Sequence, residues 1–257
     1  MTAILQTTIP YDPLNARKLP GVQPLAPEDW IQRDEAYSEQ IAERERLLAD
    51  RRDQVLKMLS SALPAATELL EMVLAAGETV EDGAVIRQDG RRVALDWQDP
   101  LGSLGRIAQQ DFCILEKPTG SPEHILTGAV LCFPASWTLA EKYMQPLTAI
   151  HVPVDSYDAG IAARVQRLFD GVQPGRPLWR FNALWYEDPT LFQPRSQSAP
   201  RQHSGPDQAL YLRSERQAIL RLPRTRAVVF SIHTRVLARA DVMRQWGQPA
   251  SAGADLV

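Results

Sequence analysis

The spacing of apolar residues changes once along this chain, at Ala84, and that change narrows the fold more than any motif does. Before it, Ile41, Leu48, Val55 and Leu59 recur at helical intervals behind an acidic first turn, so residues 28 to about 59 read as one long amphipathic helix. Pro64 opens a second helix, Leu69, Leu70, Val73 and Leu74 form its stripe, and Gly77 ends it. Beyond Ala84 the apolar runs become short, as strands require. Residues 84–87 and 92–95 flank an Asp89-Gly90 turn, and residues 112–115 and 127–133 follow as further strands. Pro134-Ala135-Ser136-Trp137 stops the last of these, and Ser136 is placed to cap a short helix over residues 139–144. Residues 147–154 read as a strand containing His151, 161–169 as an amphipathic helix, and 178–185 as a strand. Residues 210–217 and the apolar run 227–232 form a closing hairpin.

Helices first, then an antiparallel sheet with helices between its strands, is the order of an α+β fold and not of a doubly wound one. Neither a strand-linked Gly-x-Gly-x-x-Gly nor a Gly-x-x-x-x-Gly-Lys-Ser/Thr occurs, so no motif points to a nucleotide. The chain divides into an extended arm, 1–27, carrying Pro10, Pro13, Pro20, Pro24 and Pro27, a single α+β domain, 28–240, and a flexible tail, 241–257. Within the domain, residues 28–77 are helical and 84–240 contain the sheet. The polar stretch 193–208 reads as a mobile loop.

Charge and composition exclude several classes of function. With 28 basic and 31 acidic residues the net charge is −3, which gives no bulk attraction to nucleic acid or anionic lipid. No stretch approaches the roughly 18 apolar residues of a membrane span, and Met1 to Leu5 lack the basic start of a secretory leader. The expectation is a soluble, cytoplasmic protein. Cys113 and Cys132 sit among apolar neighbours, so reduced core thiols are expected in place of a disulfide.

Four histidines are candidates for chemistry. His203 lies in the polar loop and His124 at a strand entry, both as solvated groups, while His233 alternates with Val229 and Ser231 on the last strand, partly exposed. His151 stands apart among apolar residues, where an imidazole needs a hydrogen-bond partner or a metal; a satisfied core histidine and a ligand both stay open. No histidine or cysteine spacing holds zinc, yet one histidine suffices for haem, which brings four ligands of its own. In a strand at 210–217, Arg213, Glu215 and Gln217 share one face, and Leu212, Ser214 and Arg216 the other. Glu215 then lies between a cation and an amide, either as a rung of a surface ion-pair ladder or as an acid lining a pocket. Arg180 and Asn182 bring a second guanidinium and amide from the strand at 178–185.

Ile150-His151-Val152-Pro153-Val154, Phe133-Pro134-Ala135-Ser136-Trp137, Arg180-Phe181-Asn182 and Arg213-Ser214-Glu215-Arg216-Gln217 with Leu222-Pro223 resemble the haem-dependent oxidative N-demethylase family. The likeness runs over residues 20–240 and departs from the family pattern at Ala183, at Gln110 and at His233. The resemblance implies a PAS-like antiparallel sheet that binds haem b through its iron, with an N-terminal helical segment. It implies oxidative removal of a methyl group from a small secondary amine such as dimethylamine, with dioxygen consumed and formaldehyde released. His151 becomes the proximal iron ligand and Glu215 the acid that positions the ammonium group and guides protons, while Arg216, Arg180 and Lys142 are propionate partners. Because the chain has neither a dinucleotide fingerprint nor the cysteines of an iron–sulfur cluster, a separate flavin/iron–sulfur reductase is expected. Assembly as an oligomer is compatible with the apolar stripe of the first helix. Two rival readings are a PAS-type haem- or ligand-binding sensor without turnover, and an interaction domain without cofactor.

Overall fold

The computed structural model describes residues 3–15, 21–151, 159–196, 199 and 209–247. In chain order its elements are β1 (Gln23–Pro24), α1 (Tyr37–Asp50), α2 (Arg52–Val55), β2 (Leu56–Met58), α3 (Leu63–Ala75), β3 (Thr79–Glu81), β4 (Ala84–Ile86), β5 (Arg92–Ala94), α4 (Pro100–Ile107), β6 (Asp111–Glu116), β7 (Ile125–Val130), α5 (Leu139–Lys142), α6 (Leu147–His151), α7 (Ala159–Gly171), β8 (Leu178–Tyr186), β9 (Tyr211–Arg221), β10 (Val228–Ala238) and α8 (Arg239–Trp246). A seven-stranded sheet runs β1-β8-β9-β10-β6-β7-β2, antiparallel at every pairing, and β3, β4 and β5 form a separate three-stranded sheet. The fold is therefore α+β, with one large antiparallel sheet and helices on it.

Residues directly opposed across antiparallel strands share a face. The rows Ile219–Phe230–Cys113–Ala129 and Ala218–Ser231–Phe112–Val130 therefore mark the two faces of the sheet. Behind the second row, Phe112, Ile114, Val130, Leu220 and Val229 pack with α1, α3 and α4 through Leu47, Leu69, Leu70, Val73, Leu101 and Leu104. We call this the back face. On the front face, Cys113, Leu115, Ala129, Ile219 and Ile232 meet Leu139, Leu147, Val165 and Phe169 from α5, α6 and α7. Each fully buried aliphatic side chain contributes about 1.5–3 kcal/mol, more than local helix propensity decides.

Several local expectations change. Residues 28–59 are not one helix: a 3-10 turn at Pro27–Trp30 precedes α1, Arg51 interrupts at φ −139°, and Leu56–Met58 pair with Gly128–Val130 as an edge strand. Without them β7 would leave its outer backbone groups unpaired, and apolar residues at 55 and 59 suit either period. Residues 147–151 form helix α6, not a strand, because Glu123 accepts from Thr148 N and its hydroxyl at 2.9 and 3.0 Å and so caps the turn after Pro146. Residues 152–154 of the expected strand lie outside the described residues. Ser136 is no cap. It holds φ +67°, and Thr138 Oγ1 takes the Glu141 N–H of α5, which ends at Lys142. α4, opened by Asp99 and Pro100, was legible as a helix start and was not anticipated.

The ends are also more ordered than expected. Residues 239–246 form α8 with Val242 buried, and residues 248–257 lie outside the described residues. In the arm, Gln6 exchanges hydrogen bonds with the Val236 backbone, and Ile9 N donates to Gln245 of α8. No helix among the described residues is long and apolar enough to cross a membrane.

Candidate functional site

β8 and β9 pair so that Arg180 lies opposite Gln217, Asn182 opposite Glu215 and Leu184 opposite Arg213. All six project from the front face, the one α5, α6 and α7 cover, because the strand period is two. The side chains interlock. Arg180 Nη1 donates to Gln217 Oε1 at 2.6 Å, and Asn182 Nδ2 and Gln217 Nε2 donate to Glu215 Oε2 at 3.3 and 3.4 Å. Arg213 Nε stands 3.5 Å from Glu215 Oε1, with the two side chains 2% and 13% exposed. Such burial rules out a solvated ladder, so Glu215 is an acid lining a pocket.

Arg213 also builds the walls of that pocket. Its two terminal nitrogens donate to Phe133 O at 2.6 Å and Leu191 O at 2.9 Å, drawing two loop segments to the sheet. Between them Gln193 N donates to Pro134 O and Ser136 N to Gln193 O. The result is a small cleft of about 80 Å³, lined by Ala135, Ser136, Asn182, Leu184, Tyr186, Arg213 and Glu215. Ser136, in the left-handed region, is a strained residue at a cleft wall. Leu184 and Tyr186 follow from Asn182 by the two-residue period, and Ala135 and Ser136 belong to the Phe133–Trp137 motif, which the sequence marked without showing that it would face Glu215.

The remaining expected site residues fall in different places. His151 is the last residue of α6, whose Leu147 and Ile150 pack on the front face; its side chain is not among the described ones. Lys142 ends α5, which touches α2 and β2 at the sheet edge away from β8. Arg216 projects from the back face, opposite in direction to Glu215, with its guanidinium over the Trp179 ring at 5.1 Å. It does not join Arg180 and Glu215. His124 and His233 are both buried, not solvated: His124 Nδ1 meets Gln166 Nε2 at 3.2 Å, and His233 Nε2 meets Asp34 Oδ2 at 2.8 Å. Burial lowers the pKa of each to about 4, so both imidazoles are neutral near pH 7. His203 lies outside the described residues.

Burial lowers the pKa of Arg180, an effect that Glu215 opposes, and burial likewise lowers that of Lys142, opposed by Glu141. Arg180 Nε and Lys142 Nζ are sealed from water without a hydrogen-bond partner among the described residues. An N–H left so costs about 1–3 kcal/mol, more when charged.

The family model described as HODM_asu-like, haem-dependent oxidative N-demethylase, alpha subunit-like, matches residues 21–252. The chain belongs to this family of haem-dependent oxidoreductases. Haem is an apolar macrocycle with anionic propionates, and the front face offers an apolar cluster together with the cationic donor of Arg180 beside the cleft. The donor set fits the group.

Proposed function

We propose that this chain is the haem-binding subunit of a monooxygenase that demethylates a small secondary amine of the dimethylamine kind and releases formaldehyde. In this reading the sheet is a PAS-like cradle, supported by helices that all enter between β7 and β8 and gather on one face. Haem b would be held by His151 at the iron and by Arg180 at a propionate, Lys142 standing at the opposite sheet edge. When bound it supplies the reductive activation of dioxygen.

The observation that carries the proposal is the state of Glu215. Its neighbours stand at 3.3–3.5 Å, beyond the 2.7–2.9 Å of a charge-assisted bond. The carboxylate is thus oriented by three donors yet keeps acceptor capacity for a substrate ammonium. That cation would bind Glu215 Oε at shorter range in a cleft of restricted dielectric. Asn182 and Gln217 fix the carboxylate plane, and Arg213 keeps a positive charge behind it. Glu215 also holds the proton that the amine gives up or that oxygen reduction consumes. Leu184 and Ala135 give an apolar wall suited to methyl groups. The alpha-subunit-like family name and the missing dinucleotide fingerprint both support a partner subunit that delivers electrons, of flavin or iron–sulfur type.

The visible spectrum of the haem-supplemented protein, followed by a formaldehyde assay with dimethylamine and a chemical reductant, tests this reading. A Soret band with amine-dependent formaldehyde is expected. A Soret band without any formaldehyde, from dimethylamine or other N-methyl amines, would leave a sensor in place of an enzyme.

A further inference from the structure

The back face of β8, β9 and β10 carries a second polar cluster, independent of the cleft. Phe181, Arg216 and His233 form one cross-strand row there, and Ala183, Ser214 and Arg235 the next. Directly opposed Cβ atoms lie about 5 Å apart and diagonal ones about 7–8 Å, within reach of long side chains. Tyr11 of the arm covers the cluster, stacked on Phe181 at 4.5 Å and joined to Ser214 Oγ at 3.1 Å.

Two guanidinium groups are buried in this place, with Arg216 7% and Arg235 3% exposed. Asp34 is the carboxylate paired with Arg235, at 3.4 Å, and its oxygens already accept from His233, Gln6, Gln109 and Ala36 N. It is saturated. Arg216 has the Trp179 ring beneath it and no ion pair or hydrogen bond among the described residues. Its nearest opposite charge, Asp29, acts only from beyond ion-pair distance, so the guanidinium is left without a direct partner among the described residues. Arg235 Nη1 and His233 Nδ1 are also sealed without a hydrogen-bond partner among the described residues. With its Nε2 proton given to Asp34, the neutral His233 presents Nδ1 as a bare acceptor.

From these groups we infer that the back face binds a small oxyanion that retains one proton, of the hydrogen phosphate or bicarbonate class. Its unprotonated oxygens accept from Arg216 and from Arg235 Nη1, and its hydroxyl donates to His233 Nδ1. Sulfate and chloride have no proton to give and leave the imidazole unsatisfied. Glu215 sits between Ser214 and Arg216 on β9, so the anion braces the strand behind the cleft and pins the arm through Tyr11.

Thermal unfolding of the full chain in titrations of inorganic phosphate, sodium bicarbonate and, at matched ionic strength, sodium sulfate tests the site. Phosphate or bicarbonate should raise the melting midpoint saturably, by about 5–10 °C at a hundredfold excess over its dissociation constant. Sulfate should fall well short. Arg216→Gln should abolish the difference between the anions. A rise that is equal in sulfate, a rise without saturation, or full retention of the phosphate effect in a cooperatively melting Arg216→Gln protein would each overturn the assignment. The comparison of anions on the unmodified protein stands even if the variant does not fold.

Discussion

Arg44 Nη1 and Asp111 Oδ1 lie 2.6 Å apart, with both side chains at or below 1% exposure. The same carboxylate accepts the Cys132 and Phe133 N–H groups at 2.7 and 2.9 Å, and Phe133 O in turn accepts from Arg213. A buried ion pair in the core thus shapes the segment that leads into the cleft. Removing one partner of such a pair costs about 3–5 kcal/mol, because the other charge is stranded. Asp111→Asn should lower the unfolding free energy measured by urea denaturation by that amount. A loss under about 1 kcal/mol would show that Arg44 is not dependent on Asp111.

Replacement of Glu215 by Gln keeps the size and the Asn182 contact while removing the charge. The variant should fold and bind haem as the parent does, and lose about 100-fold or more in formaldehyde release. His151→Ala should lose the Soret band and the rise in melting midpoint that haem gives the parent, while melting as the haem-free parent does. Unchanged turnover in the first variant, or unchanged haem binding in the second, would remove that residue from its proposed role.

Acid should destabilise the protein from well above the carboxylate range. His233 has its pKa depressed from 6.5 to about 4 by burial, with Arg235 and Arg216 reinforcing the shift and Asp34 opposing it. The unfolded chain therefore binds a proton below pH 6.5 that the folded chain refuses until about pH 4, so stability is full above 6.5 and falls across that window. His233 alone accounts for roughly 2–3 kcal/mol of the loss, and His124 adds to the same limb. Asp34, which burial alone would raise, is held at about 2 by His233 and Gln109 and extends the loss below its ordinary value of 3.8. Equilibrium unfolding at pH 7.5, 6, 5 and 4 measures this; a flat profile from pH 7 to 4.5 contradicts it.

Arg221 secures α7 to the sheet. Its guanidinium donates to Val172 O at 2.7 Å, Arg226 O at 2.6 Å, Phe169 O at 2.5 Å and Asp170 O at 3.3 Å, so it caps the end of the helix that covers the front face. Lysine cannot reproduce that planar fork. Arg221→Lys should cost about 1–3 kcal/mol and raise amide exchange over residues 165–172 above the rest of the chain. Exchange that rises uniformly would place the effect elsewhere.

Much of the candidate site was legible because a strand's period of two is rigid. Arg213, Glu215 and Gln217 had to share a face once 211–221 was a strand, and Arg216 had to leave it. Their burial was not legible, since charged residues on a strand are solvated unless something covers them. The cover is supplied by Phe133, Leu191 and the helices of the front face, far away in sequence. His233 and His124 failed as surface histidines for the same reason: Asp34, 199 residues away, and Gln166, 42 residues away, satisfy them in the interior.

By itself the sequence determined the α+β class, strands over 178–185, 210–217 and 227–232 that the structure extends to 178–186, 211–221 and 228–238, and the side of β9 on which each polar group stands. Those follow from local periodicity, which any window of the chain contains. Only the tertiary structure decided that Leu56–Met58 would be a strand and residues 147–151 a helix, and that Arg180 would meet Gln217 across strands 37 residues apart. Short segments have no surplus of local preference, so their state is set by which backbone groups need partners. Charge burial is likewise a property of what packs on top, and no stretch of sequence encodes its own cover.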